Sequence, residues 1–258
     1  MTTDIDGIKI NYSDKGSGEN VLVLEGWGTN IDLYAGVIDK MAEKYRVVTP
    51  DLPGFGESDE PPEPWHVADY ADFVIRFCER LGIKETIIFA HSFGGRITLK
   101  LFSREALPIK INRIILTGAA GIRHEPSEQA KKKAAAYQRG KAFLSTKPMR
   151  LLFPGALEKL RSRHGSADYK AASPMMRQVL VNTVNEDLSS LLPKVTPETL
   201  LIWGRNDDAA PLCDGERMEK EMPYAGLVVI ENAGHFAFIE QQYIFLRVLS
   251  SFLSIPIE

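Results

Sequence analysis

Residues 86–98 read Thr-Ile-Ile-Phe-Ala-His-Ser-Phe-Gly-Gly-Arg-Ile-Thr: an apolar strand, a turn of small residues around one serine, then a helix. A strand that breaks sharply into a helix holds its turn residue in a strained, outward-pointing conformation, and small residues two places to either side leave room for the crossing chain. Ala90 and Gly94 stand at those places around Ser92. The exposed hydroxyl then lies beside the next residue's N–H and a helix N-terminus, groups that stabilise negative charge developing on an oxygen. Such a serine is suited to acyl transfer.

A serine hydroxyl is a weak nucleophile at neutral pH, so it needs a base, and the base needs a carboxylate to fix its tautomer and stabilise the imidazolium. Two loops that follow apolar strands offer these groups: Trp203-Gly204-Arg205-Asn206-Asp207-Asp208 and Asn232-Ala233-Gly234-His235-Phe236. Open parallel sheets place their sites at the carboxyl ends of strands, where both loops fall. His91, beside the serine, is expected to point partly away in a packed or hydrogen-bonded role. The five histidines (66, 91, 124, 164 and 235) form no H-x-x-x-H or similar group, so neither a metal nor another cofactor is expected. Gly54-Phe55-Gly56 lacks the third glycine of a dinucleotide-binding turn.

The elements that must position these residues alternate. Strands are predicted at Ile8–Tyr12, Val21–Leu24, Tyr45–Thr49, Thr86–Ala90, Ile111–Thr117, Thr199–Trp203 and Leu227–Ile230. Helices are predicted at Ile31–Lys44, Val67–Leu81, Phe93–Ser103, near Asp214–Met222 and from about Glu240 to Leu253. This rhythm builds a parallel sheet with helices on both faces. Residues 122–187 interrupt it with helical patterns, giving a core of 1–121 and 188–258 around an inserted cap.

At 258 residues and 44% hydrophobic, the chain can bury a large core. A formal net charge of -3 with no basic tail gives no support for a nucleic-acid partner. Cys78 and Cys213 are far apart and outside any C-x-x-C spacing, which argues for a reduced, cytoplasmic protein without disulfides or zinc. The first residues lack a signal-peptide pattern and no stretch approaches spanning length, so neither secretion nor a membrane partner is expected. The oligomeric state is left open.

The Ala90-His91-Ser92-Phe93-Gly94 turn resembles the nucleophile elbow of the α/β-hydrolase superfamily, usually G-x-S-x-G, with Ala90 departing by one methyl group. The resemblance implies an α/β-hydrolase fold with a mostly parallel sheet and a helical cap. It also implies a triad in the chain order Ser92, Asp207, His235. The W-G-x-x-D spacing, with Pro211 four residues on, is similar to the family's acid loop and favours Asp207 over Asp208. The run Asp51 to Ser58 is similar to a loop that braces the active-site wall. Where the family commonly has His-Gly-x-Gly, this chain has Glu25-Gly26-Trp27-Gly28; the backbone N–H groups of Trp27 and Phe93 remain the implied oxyanion donors. A buried Glu25 must be paired, protonated or turned away, and Arg96 is the nearest cation by sequence logic. A structural Glu25–Arg96 pair is expected, with substrate recognition by Glu25 as the alternative.

From Arg123 to Asp187 there are thirteen Lys or Arg, Lys131-Lys132-Lys133 among them, against six Asp or Glu. A solvated helix face explains this, as does attraction of anionic substrates or surfaces. Phe143, Met175 and Met176 could line an apolar acyl pocket or form the cap's contact with the core. The resemblance implies a cofactor-independent serine hydrolase of a small ester or related acyl compound, carboxylesterase- or lactonase-like, working through a covalent acyl-enzyme. A C–C bond hydrolase or thioesterase would use the same triad, and a ligand-sensing protein can retain it. Epoxide hydrolases and haloalkane dehalogenases carry Asp where this chain has Ser92.

Overall fold

Continuous apolar strands need cover on both faces, and in the computed structural model, which describes residues 1–124, 128–156 and 167–256, they have it. β3 (Asn20–Leu24), β5 (Glu85–His91), β6 (Lys110–Thr117) and β7 (Glu198–Gly204) form the middle of the sheet. Along β3, Val21 and Val23 face one apolar cluster and Leu22 and Leu24 the other, as the two-residue period of a strand requires. The sheet has eight strands in the order β1-β2-β4-β3-β5-β6-β7-β8. From β4 (Arg46–Pro50) across to β8 (Ala225–Ile230) every pair is parallel, while β1 (Thr2–Ile5) and β2 (Ile8–Lys15) join antiparallel at one edge.

The sequence pattern does not reveal β1, a four-residue edge strand of which only Ile5 is buried. Its turn uses Asp6 and Gly7, both at positive φ, as a tight hairpin demands. The helix expected over residues 31–44 begins as a 3₁₀ turn, Ile31–Tyr34, and continues as α1 (Ala35–Ala42). α2 (Val67–Arg80) and α3 (Phe93–Leu101) cover one sheet face, and α1 covers the other.

Between β6 and β7 the described residues form no strand. They form α4 (Glu128–Leu144), α5 (Lys147–Leu152), α6 (Ala167–Ala171), α7 (Pro174–Val184) and a 3₁₀ turn at Ser189–Lys194. The side chains of Lys131-Lys132-Lys133 lie outside the described part of the structure. α7 is the helix of this segment that reaches the core: Pro174 opens it, the Ser173 hydroxyl caps it by accepting from Met176 N at 3.1 Å, and Met176 and Val179 join the main cluster. After β7 come α8 (Leu212–Glu221), α9 (Ala237–Glu240) and α10 (Gln242–Leu253). The helix expected from residue 240 is thus split at Gln241, whose backbone is non-helical (φ -131°).

Gly94 marks the closest approach between the serine turn and the sheet: a Cβ there would lie 2.2 Å from the Leu24 carbonyl oxygen. Gly226, in β8, has open space at the same position. Gly94→Ala is therefore expected to lower the melting temperature by about 5–10 °C, from an overpacking cost of about 2–3 kcal/mol. Gly226→Ala should leave it unchanged or slightly raised; equal melting curves for the two variants would contradict this packing account.

Candidate active site

Ser92 sits between β5 and α3 with φ 49° and ψ -107°, a conformation that side chains with a Cβ rarely adopt. Backbone bonds on both sides hold it there. Its N–H donates to the Thr117 carbonyl at 3.1 Å, and its carbonyl accepts from Gly95 and Ala120 N–H, each at 3.0 Å. Ala90 is fully buried and in register between Leu24 and Leu116, so its extra methyl is absorbed in the core.

The loops after β7 and β8 bring Asp207 and His235 together. Asp207 Oδ2 lies 2.8 Å from His235 Nδ1, with the Asp207 side chain wholly shielded from solvent. The other oxygen, Oδ1, accepts from Ala209 N at 3.0 Å and Ala210 N at 2.8 Å. A carboxylate that accepts at Oδ2 places the ring hydrogen on Nδ1 and leaves Nε2 free to accept a proton. Asp208, the other candidate, is exposed. Gly118 closes over the pair at φ 49°: a Cβ there would sit 2.9 Å from Asp207 Oδ2 and 3.0 Å from His235 Nδ1. Ser92, His235, Trp27, Phe93 and Arg96 all line one cavity of about 550 Å³.

Among the described residues, the N–H groups of Trp27 and Phe93 find no protein acceptor. The rings of these residues meet edge to face at 5.3 Å, which seats the glycine loop against the serine turn. Glu25 is fully buried behind that loop. Its Oε1 accepts from Leu52 N at 2.7 Å and its Oε2 lies 3.1 Å from the Thr29 hydroxyl. Burial, reinforced by the charge of Asp51, raises its pKa well above the usual carboxylate value. The expected Glu25–Arg96 pair is not formed. Arg96 instead donates to the carbonyls of Glu186 at 2.5 Å and Val184 at 3.3 Å, because the end of α7 leaves acceptors there that the helix cannot use.

The substrate contacts expected from the cap are distributed differently. Phe143 is 62% exposed, Met175 is half-buried, and Met176 packs over Gly54 in the core; neither these three nor Glu25 lines the cavity. Leu180 and Val184 of α7 do.

His91 and Tyr34 form a connection that the sequence hardly announces. His91 Nε2 lies 3.1 Å from the His235 carbonyl oxygen, which can only accept, so Nε2 carries the hydrogen and Nδ1 is an acceptor. The Tyr34 hydroxyl, 2.9 Å away, donates to Nδ1 and itself accepts from Gly26 N at 2.8 Å. Burial raises the Tyr34 pKa, which keeps that proton on oxygen. Burial and the neighbouring His235 push His91 down to about 3, so it stays neutral. A Cβ on Gly26 would come within 2.7 Å of His91 Nδ1, which explains the glycine.

At the cavity's other side, His124 Nε2 lies 2.6 Å from Asp214 Oδ1. Burial raises the pKa of Asp214, against the opposing effect of His124. Among the described residues, His124, Cys213 and Asp214 are the group whose ligand atoms could gather around a metal, all within 4.8 Å of one another.

The model of the α/β-hydrolase fold matches residues 19–242 of this chain, which belongs to that family. The curated relatives differ in chemistry. The chain is 27% identical over 268 residues to the dihydrolipoyllysine-residue acetyltransferase component of the acetoin cleaving system of Cupriavidus necator, covering 97% of this chain and 68% of that protein. It is 26% identical to the 2-hydroxymuconate semialdehyde hydrolase of Pseudomonas sp. (strain CF600), covering 96% and 91%. Among solved structures, an esterase from Exiguobacterium antarcticum superposes with a TM-score of 0.74 at 25% identity, covering 97% of each chain.

The two buried titratable groups give stability opposite pH dependences. Glu25 has a folded pKa raised above its ordinary 4.5, so its contribution is fully present below that pH and is lost as pH rises toward the folded value. His91 has a folded pKa depressed from 6.5 to about 3, so its contribution is present above pH 6.5 and is lost as pH falls through that window. In Glu25→Gln the amide can donate to Thr29 as a protonated carboxyl would. Its melting temperature should gain on the wild type as pH rises from about 4.5, while His91→Gln should gain as pH falls from about 6.5, each by up to about 1.4 kcal/mol per pH unit. Parallel melting curves across pH 4–9 would count against both assignments.

Proposed function

We propose that the chain is a serine hydrolase of small ester or related acyl substrates, carboxylesterase- or lactonase-like, acting from the cytoplasm without a cofactor. The observation that carries this reading is a strained Ser92 sharing one cavity with a His235 whose Nδ1 is held by buried Asp207 at 2.8 Å. In this mechanism His235 Nε2 takes the Ser92 proton as Oγ attacks the acyl carbon, and the N–H groups of Trp27 and Phe93 receive the oxyanion. His235 then gives its proton to the leaving group. Water, activated by the same imidazole, hydrolyses the acyl-enzyme and restores the serine. The helical segment 122–187 acts as the cap, with Leu180 and Val184 as its apolar wall to the acyl group.

A second reading is favoured by the similarity to 2-hydroxymuconate semialdehyde hydrolase along nearly the whole chain. There the same serine and histidine would cleave a carbon–carbon bond, with the carbon leaving group taking the proton. A thioesterase or a ligand sensor with slow turnover would use the same cavity.

The test is a panel of short-chain aryl esters, lactones, thioesters and ring-fission products, run with a serine-reactive phosphonate. Ser92→Ala should remove phosphonate labelling and lower kcat by about four to six orders of magnitude without changing the melting curve by more than a few degrees. Labelling that persists in the variant would move the nucleophile elsewhere. Turnover of ring-fission products in preference to every ester would select the second reading.

A further inference from the structure

The tip of the α4–α5 hairpin carries large apolar side chains in water. Phe143, Leu151, Leu152 and Phe153 are 62%, 86%, 64% and 57% exposed, all within eleven residues. They share one compact unit. α4 packs against α5, and the turn between them is closed by Thr146, whose N–H and hydroxyl both donate to the Phe143 carbonyl, at 3.2 and 2.8 Å. The α5 end is fastened by Phe153 N donating to Met149 O at 2.9 Å. Scattered exposed apolar residues are ordinary on a protein surface, but four large ones within one short hairpin call for something to cover them.

The charge around the cluster names the partner. From Gln129 to Leu157 the sequence has seven Lys or Arg and no Asp or Glu. Of these, Arg139 and Arg150 are exposed and Lys141 is half-buried. Exposed apolar side chains on a hairpin whose charged residues, apart from Glu128 at the start of α4, are all Lys or Arg match a surface that is negative outside and hydrocarbon beneath. A second copy of the chain would bring the same cations against themselves. We propose that this hairpin docks the protein on anionic lipid bilayers, the apolar tip entering the headgroup boundary while the cations face lipid phosphates. Among the described residues no helix is long and apolar enough to cross a membrane. That concerns spanning alone, and the proposal, which departs from the expectation of no membrane partner, is one of attachment at the surface.

Co-sedimentation of the full chain with vesicles tests this. Vesicles of phosphatidylcholine with about 30 mol% phosphatidylglycerol should bind at least about tenfold more protein than pure phosphatidylcholine, and added salt should release it. The double variant Leu151→Glu, Phe153→Glu should lose most of this binding. Arg139→Gln with Arg150→Gln should weaken it about fivefold and flatten its salt dependence. These side chains are exposed and away from the cavity, so melting curves and turnover of a soluble ester should match the wild type and serve as the control for folding. Equal binding of wild type to both vesicle types, or none to either, overturns the proposal. So does a dimer in sedimentation equilibrium that the Leu151→Glu, Phe153→Glu variant abolishes, since a second copy would then be the occupant.

Discussion

One hydrogen-bonded line, from the His235 carbonyl through His91 and Tyr34 to the N–H of Gly26, holds the two sides of the cavity at a fixed separation. His235 lies on the loop after β8 and the glycine loop follows β3, so no local sequence could fix the distance between them. The line can do so because every group in it has a single feasible role. A backbone carbonyl accepts, a neutral imidazole donates on one side and accepts on the other, a phenol does the same in reverse, and an amide donates. Protonating His91 would break the order at Nδ1, and burial opposes that protonation. Buried networks of this kind stabilise only when fully satisfied, and within this line each hydrogen is assigned to one acceptor.

The strain at Ser92 is made affordable by the same tight surroundings. An unfavourable backbone conformation of this sort costs of order 1–3 kcal/mol. Each net backbone hydrogen bond returns about 1 kcal/mol, and Ser92 and Gly94 together anchor the turn through three such bonds, to Thr117 of β6, to Ala120 after it and to Glu25 after β3. The glycines are where this closeness appears in the sequence. Gly94 admits the Leu24 carbonyl, Gly118 admits the Asp207–His235 pair, and Gly26 admits the His91 ring.

The parallel core was legible because its strands are unbroken apolar runs separated by helical periods, a pattern with few other solutions. The serine turn was legible because its geometry restricts residue size on both sides. What escaped had no such local signature. β1 is too short and too exposed to alternate visibly, and Tyr34 reads as an ordinary apolar helix residue until its hydroxyl is seen between Gly26 and His91. Glu25 and Arg96 were matched by charge, yet each found backbone partners closer to hand: Leu52 N for the acid, and the carbonyls at the end of α7 for the guanidinium. Cap residues were the least legible, since an apolar stripe can face a cavity, a core or solvent. Met176 went to the core and Phe143 to solvent.

Glu25 sits buried directly behind the glycine loop that carries Trp27, one of the two proposed oxyanion donors. In the proposed mechanism an ionised carboxylate there would repel the negative charge that the Trp27 and Phe93 N–H groups receive, and low local polarity would magnify the repulsion. Burial raises its pKa and so shifts the group toward the neutral form, which carries no such field. The Thr29 hydroxyl lies within donating distance of both Glu25 Oε2, at 3.1 Å, and the Gly26 carbonyl, at 3.0 Å. Glu25 fastens the glycine loop from beneath through Thr29 and Leu52, while Tyr34 fastens it from the side through Gly26 N–H. The Tyr34 attachment depends on buried His91 staying neutral, so that Nδ1 can accept. The Tyr34 side of the loop is therefore most secure above the pH at which His91 protonates, about 3, while burial extends upward from 4.5 the range over which Glu25 stays neutral.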